Sequence, residues 1–222
     1  MRVIAAFFSL ALAAALALAF RNASAADIMT IGLKGGLSLS TLHGRLPTDA
    51  FIQNGTRRGA TGGVFLTIDL GRTISLQPEA LFVAKGTSLG NEGVTDASGK
   101  LVGTAEDIEA IDYLEIPILL RASLLPGGLA SPYLLVGPAV GVRLSQKLML
   151  TGDVSGARPI EIAKPTDLGL ALGVGLEVGR GRIRGSVETR YTLGLTTATE
   201  NTYSDSARNG NLLVTAGLAI RR

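Results

Sequence analysis

The 222-residue sequence contains no cysteine, no tryptophan and a single histidine, His43. The missing cysteines exclude a disulfide scaffold, a thiol nucleophile and a thiolate-ligated metal site. One histidine is too few for a multi-histidine metal centre supplied by this chain alone. Charged residues make up 18% of the chain, below the roughly 25% of ordinary soluble domains. No basic run with interleaved aromatic residues is present, so nucleic acid is not predicted as a partner.

Residues 1–25 have the pattern of a cleaved secretory signal peptide. A methionine and an arginine give a short positive start, an apolar stretch interrupted only by Ser9 runs from residue 3 to residue 20, and residues 23–25 read Ala-Ser-Ala. A retained membrane anchor is the alternative, because such a stretch nearly spans a bilayer. The small-residue cleavage site favours export, which predicts one mature domain over residues 26–222. Loss of Arg2 and Arg21 leaves 19 basic and 18 acidic residues, so the basic isoelectric point indicates no partner.

After residue 25 the chain alternates between apolar and polar residues with a period of two, which is typical of β-strands with two different faces. The pattern predicts eight strands of about ten residues, near residues 31–40, 63–70, 74–83, 113–121, 133–143, 167–178, 183–193 and 212–220. Tight connections at 71–73 and 179–181 and a moderately short one at 123–131 alternate with long polar ones at 41–59, 86–109, 146–165 and 196–210. This alternation is typical of a transmembrane barrel with both termini on the periplasmic side.

Two closed barrels fit eight alternating strands. A soluble periplasmic lipocalin-like carrier would turn its apolar face inward around an apolar ligand, whereas an outer-membrane barrel turns it toward lipid. The polar face is rich in glycine and alanine, which suit a narrow interior, and the apolar face carries no charge within the strands. We therefore predict an all-β protein, an eight-stranded antiparallel up-and-down transmembrane β-barrel, with the soluble carrier as the alternative.

Two features are unusual for such a barrel. Aromatic residues make up only 5% of the chain, too few for the aromatic girdles that membrane barrels normally carry. Pro78, Pro117 and Pro138 lie inside predicted strands, where each removes a hydrogen-bond donor from the ladder. A bulge or a local break is therefore expected at each proline.

The predicted strands contain five distinctive phrases: GLKGGLSLST at residues 32–41, LQPEAL at 76–81, YLEIPILL at 113–120, PYLLVGP at 132–138 and RYTLGL at 190–195. These phrases resemble the PorT-like outer-membrane β-barrel family of Bacteroidetes and related bacteria. Together they cover nearly the whole mature chain and include the three strand prolines. The resemblance implies an integral outer-membrane barrel. Its namesake branch takes part in protein secretion across the outer membrane, an activity that no residue here indicates. Where such barrels end on an aromatic residue that the insertion machinery recognises, this sequence has Ile220 followed by two arginines.

Catalytic and metal-binding patterns are weak. Some outer-membrane enzymes act on lipid acyl chains with a histidine, a serine and a carboxylate, and Ser38 and Ser40 precede His43, but the spacing fixes no acidic partner. A lipid-modifying acyl hydrolase is therefore a second alternative. Acidic residues at 106, 107, 109 and 112 could bind a divalent cation, although a solvated acidic loop has the same composition. We predict no catalytic, cofactor-binding or metal-ligating residue.

Charges on the polar face predict a plugged lumen. An unpaired charge in a narrow interior is costly, so side chains of opposite charge are expected to pair there. A selectivity ring would instead consist of charges of one sign. Lys85, Arg121, Glu177 and Arg184 share this face, and we assign to a structural charge network Lys34, Glu79, Glu115, Arg143, Glu188 and Arg190. The expected protein is a non-enzymatic outer-membrane barrel without a cofactor. Its expected partners are outer-membrane lipid, lipopolysaccharide and, during assembly, the barrel-insertion machinery.

Overall fold

The computed structural model describes residues 29–43, 55–95, 101–152, 156–159, 164–196 and 208–221. These ranges contain nine strands: β1 (Met29–His43), β2 (Arg57–Asp69), β3 (Ile74–Thr95), β4 (Leu101–Ser123), β5 (Ala130–Gly152), β6 (Gly156–Pro159), β7 (Thr166–Val178), β8 (Ile183–Gly194) and β9 (Arg208–Arg221). The predicted signal peptide lies outside the described residues. Within those ranges no helix is long and apolar enough to span a bilayer.

Eight of the strands form a closed antiparallel barrel. Each pairs with its neighbour along the chain, β5 pairs with β7, and β1 closes the ring by pairing with both β2 and β9. The short β6 adds only to the outer part of β5, through four residue pairs. The predicted eight-stranded up-and-down barrel is confirmed.

The connections differ in length at the two ends of the barrel. Tight connections at residues 70–73, 124–129 and 179–182 lie at the end where the described chain begins and finishes, as predicted. At the other end the predicted loops 86–109 and 146–165 are wrong over most of their length, because β3, β4 and β5 continue through them as a paired sheet extension. Beyond the bilayer no lipid requires an apolar outer face, so apolar alternation no longer marks the strand, although backbone hydrogen bonds still form it.

The apolar face of the barrel points outward. In β1, Leu33 is 66% exposed while the adjacent Lys34 is 7% exposed, and every one of the eight barrel strands carries an exposed large hydrophobic residue. Charged and polar side chains fill the interior together with small residues such as Ala139 and Ala171. A soluble carrier would require the reverse arrangement, whereas an outward aliphatic surface is what a bilayer stabilises.

Each strand proline interrupts one ladder without shifting its register. The β2–β3 pairing stops at Phe65–Glu79 and resumes at Ile68–Leu76, skipping Pro78. The β3–β4 ladder skips Pro117 and the β4–β5 ladder skips Pro138 in the same way, while the register shifts lie elsewhere, further along β3, β4 and β5. The expected local breaks are therefore present, and the alternative of a bulge at each proline is wrong. A missing N–H donor removes hydrogen bonds but does not by itself add a residue to the strand.

Aromatic rings occupy the lumen more than the lipid surface. Phe65, Tyr113 and Tyr133 are buried in the interior. The ring of Phe65 covers Gly32 and the ring of Tyr133 covers Gly175, each glycine being the direct cross-strand partner. A Cβ atom at Gly32 or Gly175 would lie 2.4 Å or 2.2 Å from the ring. Glycine on the neighbouring strand thus lets each ring lie against the barrel wall, an arrangement that also shields the glycine backbone.

Candidate functional site: the charged lumen

The centre of the lumen holds four ionised side chains from three strands. Lys34 Nζ of β1 lies 2.7 Å from Glu79 Oε1 of β3 and 3.0 Å from Glu188 Oε2 of β8. Arg190 of β8 contacts the same two carboxylates, with Nη1 at 2.8 Å from Glu79 and 3.6 Å from Glu188. All four side chains are at most 4% exposed. Alternation places them on the inner face, and barrel closure brings β8 opposite β3. We call these four residues the central layer.

A second set of charges lies on the outer side of the central layer. Lys85 Nζ of β3 is 2.7 Å from Glu115 Oε2 of β4 and 3.5 Å from Asp167 Oδ2 of β7. The Asn209 side-chain amide donates to the same Asp167 oxygen, Oδ2, at 3.1 Å, and the Thr196 hydroxyl donates to Asp167 Oδ1 at 3.2 Å. Lys85 therefore pairs with two buried carboxylates, of which Asp167 also accepts hydrogen bonds from neutral side chains. We call Lys85, Glu115 and Asp167 the outer layer.

A third set faces the periplasmic end. Glu177 accepts from Arg121 Nη2 at 2.7 Å and from Arg184 Nη1 at 2.9 Å. The Arg121 guanidinium lies 3.9 Å from the centre of the Tyr133 ring, and the Tyr133 hydroxyl donates to Glu188 at 3.3 Å. This inner layer of Arg121, Glu177 and Arg184 is thereby connected to the central one. Cation–π stacking holds a guanidinium flat against a ring.

Taken together, the three layers are balanced in charge, although the outer layer has one carboxylate in excess and the inner layer has one guanidinium in excess. Five cations (Lys34, Lys85, Arg121, Arg184 and Arg190) face five carboxylates (Glu79, Glu115, Asp167, Glu177 and Glu188). Between the central and inner layers, the cavity that Gln77, Tyr133 and their neighbours line has a volume of only about 10 Å³. A cavity of that size holds at most about one water molecule.

The six residues assigned to the structural charge network do not all lie in one layer of the lumen. Lys34, Glu79, Glu188 and Arg190 meet in the central layer, and Glu115 lies in the outer layer against Lys85. Arg143 lies apart, where its guanidinium donates to Gln146 at 2.8 Å. Asp167 was not singled out by the sequence pattern, although it shares the alternation of the inward-facing Gly169 and Ala171, which is the signal that would have found it.

The residues weighed for catalysis and metal binding have other partners. His43 ends β1, and its backbone pairs with Arg208. Ser38 donates to the Asn211 side-chain oxygen at 2.8 Å, and Ser40 accepts from the Gly86 N–H at 3.2 Å. In the outer sheet extension, Glu109 accepts from the Gln146 side-chain amide at 2.7 Å, while burial raises the Glu109 pKa. Across the described ranges, no group of three or more acidic or histidine side chains is arranged to hold a metal ion.

An aliphatic outer surface around a charged interior defines an outer-membrane β-barrel protein. The chain belongs to the outer membrane protein beta-barrel domain family, whose pattern it matches over residues 24–200. It is accordingly a protein of the bacterial outer membrane. None of the curated proteins matches the chain significantly.

Solved outer-membrane proteins share the fold at low sequence identity. OprG of Pseudomonas aeruginosa is 9% identical, with 89% of this chain and 97% of that chain covered and a TM-score of 0.50. Neisserial surface protein A is 12% identical, with 86% and 97% covered and a TM-score of 0.46. The Escherichia coli outer membrane protease OmpT is 14% identical, with 88% and 97% covered and a TM-score of 0.47. At such identities the likeness concerns the fold alone.

Proposed function

We propose that this protein is a non-enzymatic outer-membrane barrel with a plugged lumen, which stabilises the envelope or presents its outer connections to partners. The observation that carries the proposal is the central layer, in which Arg190 and Lys34 join β8, β1 and β3 through two shared carboxylates. Outer-membrane lipid and lipopolysaccharide are its proposed lipid partners, and the barrel-insertion machinery is its proposed partner during assembly.

Both signs of charge meet in the central layer, and this favours a plug over a selectivity filter. A conducting pore would carry a ring of one sign, or a wider interior with more strands. Here each carboxylate of the central layer contacts two cations, so an ion that passed would have to separate several buried pairs at once. Breaking even one such pair leaves an uncompensated charge away from water.

The outer sheet extension supports a role in interactions. β3 and β4 remain paired from Lys85–Ile111 to Thr95–Leu101, and β4 and β5 remain paired as far as Ala105–Gly152. β6 adds a further edge to β5. Backbone pairing gives this part of the chain a defined surface outside the lipid band, which suits contact with a partner molecule.

Within the family, we propose that the chain belongs to the PorT-like branch. The support is the series of phrases at residues 76–81, 113–120 and 132–138, which carries the three prolines of the interrupted ladders. The proposal concerns relationship only and includes no secretion activity.

Conductance of the purified full chain in planar lipid bilayers tests the plug. The wild-type barrel should show no stable ion conductance. Glu79→Ala combined with Arg190→Ala removes one carboxylate and one cation together and should produce discrete openings. Thr189→Ala, one residue from Arg190 but exposed on the lipid face, is the matched control and should remain silent. Stable wild-type conductance like that of an open porin would contradict the plug.

A lipid assay separates the non-enzymatic proposal from acyl hydrolysis. Purified barrel incubated with lipopolysaccharide and phospholipid should release no fatty acid above background. Fatty-acid release that His43→Ala abolishes, in a variant that still folds, would replace the proposed function with the hydrolase.

A further inference from the structure

The periplasmic end of the barrel contains a cavity of about 530 Å³. It lies between the tight turns and the inner layer, and its charged lining residues are Asp69, Arg72, Arg121, Glu177, Arg184 and Arg221. We call this cavity the vestibule. Its volume falls in the range of about 300–1,000 Å³ that is usual for small-molecule sites.

The vestibule has an excess of positive charge. Four arginines line it against two carboxylates. Arg221 Nη2 lies 3.1 Å from Asp69, whereas among the described residues a single carboxylate, Glu177, forms the ion pairs of both Arg121 and Arg184. Because Glu177 carries one negative charge against two guanidinium groups, the floor of the vestibule is cationic. A concave surface of low dielectric constant that carries charge of one sign attracts and concentrates ions of the opposite charge.

The floor also has hydrogen-bond donors to spare. A guanidinium offers five N–H donors; Arg184 uses one nitrogen on Glu177, and Arg121 uses Nη2 on Glu177 and Nη1 on the Gln77 side-chain oxygen at 3.5 Å. Arg184 Nε is buried and has no hydrogen-bond partner among the described residues. Arg121 is 5% exposed and held in place by its stacking on Tyr133. A fixed guanidinium with available N–H groups suits a carboxylate or phosphate, which accepts two parallel hydrogen bonds.

We propose that the vestibule binds a small oxyanion-bearing ligand from the periplasm, whose carboxylate or phosphate group accepts hydrogen bonds from Arg184 and Arg121. The layers above the floor leave a cavity of only about 10 Å³, so the ligand enters and leaves on the periplasmic side. The site therefore retains a ligand at the inner surface of the outer membrane and does not transport it.

Isothermal titration of the refolded full chain in detergent tests the site. Two probes distinguish the sources of the oxyanion: the dipeptide alanyl-glutamate supplies carboxylates and pyrophosphate supplies phosphates. Saturable binding of either probe, weakened by added salt, is expected, and alanyl-glutamine amide, which lacks the carboxylates, should not bind. Binding of one probe alone identifies the anion class. Failure of both probes to bind at 10 mM would overturn the proposal.

Variants locate the binding. Arg184→Gln should weaken binding by at least about tenfold, because it removes a cationic donor from the floor of the vestibule. Arg180→Gln removes an exposed arginine from the adjacent turn, outside the vestibule lining, and should change binding by less than about twofold.

Heat-modifiable gel migration reports whether each variant folds. If Arg184→Gln does not fold, Arg184→Lys serves as the second variant. Lysine keeps the positive charge but cannot donate two parallel hydrogen bonds as the guanidinium does, so this variant should still weaken binding. Equal binding by the Arg180 and Arg184 variants would overturn the proposal while leaving the plug untouched.

Discussion

Arg190 of β8 and Glu79 of β3 form an ion pair of 2.8 Å across the interior of the barrel. On one side, three strands separate β8 from β3 in the sheet order. The pair therefore links opposite walls, which no backbone ladder does. A link of this kind makes closure of the barrel depend on side-chain chemistry in the lumen as well as on strand pairing.

Two adjacent residues on opposite faces of β4 are expected to differ in their effect on stability. Glu115→Ala removes the nearer partner of Lys85 and should lower the free energy of unfolding by about 3–5 kcal/mol. Leu114→Ala, one residue away with its side chain toward lipid, should cost much less, because lipid fills the gap. Denaturant unfolding of both variants in lipid vesicles measures the difference. A neutral Glu115→Ala beside a severe Leu114→Ala would mean that the aliphatic face is the packed core.

Coupling between Arg190 and Glu79 can be isolated with a double-mutant cycle. Each single alanine variant leaves a buried charge short of a partner, whereas the double variant removes both charges. We expect the double variant to be destabilised by less than the sum of the single variants, with a coupling of about 1–3 kcal/mol. Additive losses in unfolding free energy would show that the two groups do not interact.

The contact between Gly175 and Tyr133 predicts a steric effect. Tyr133 lies between the Arg121 guanidinium and the Gly175 backbone, so Gly175→Ala would press a Cβ onto a confined ring and cost about 1–3 kcal/mol. The control is Gly185→Ala, since a Cβ there would lie 3.8 Å from its nearest neighbour, the Val178 carbonyl oxygen. Tyr133→Leu should relieve much of the loss in the Gly175→Ala background. Equal stability of the two alanine variants would contradict the packing described.

The proline-linked breaks predict uneven hydrogen exchange at mid-membrane depth. Residues 79–80, 116, 118–119 and 137 lie in the gaps of their ladders and carry an amide hydrogen, whereas the β8–β9 ladder runs unbroken from Ile183–Ile220 to Leu193–Gly210. Amides in the first group should exchange faster than those of residues 187–190 and 213–216, because fewer backbone pairs protect them. Exchange of the refolded barrel in micelles, followed by mass spectrometry or NMR, gives the comparison. Uniform protection would indicate that water does not reach the gaps.

Trypsin treatment of intact cells tests the orientation. Arg45 and Lys100 lie in the connections opposite the tight turns, outside the described residues, and should be cut. Arg72 and Arg180 lie in the tight turns and should be cut only after the outer membrane is permeabilised. Cleavage at Arg72 in intact cells with Arg45 and Lys100 protected would invert the topology.

Alternation in the sequence predicts which way each side chain faces, but not its partner. The positions of Glu79 and Arg190 in the alternation predict that both side chains face the lumen. Their contact depends in addition on the stagger of the strands around the barrel, which a two-residue period does not encode. Glu115 likewise contacts Lys85, a residue whose depth depends on the β3–β4 register. Alternation does not predict the sheet extension, because no lipid is present there to require an apolar outer face. Vestibule residues such as Arg184 and Arg221 lie near strand ends, where turn geometry decides what they meet.

The exposed aromatic residues of the described ranges, Phe82 and Tyr191, both lie more than six residues along their strands from the periplasmic turns. The rim at those turns is aliphatic instead, with Leu124, Leu125 and Leu129 exposed. Aromatic rings favour the headgroup depth, whereas leucine has no such preference. In the described ranges no aromatic residue therefore fixes the periplasmic rim at the headgroup depth, so a thinner or thicker membrane is accommodated at this inner edge.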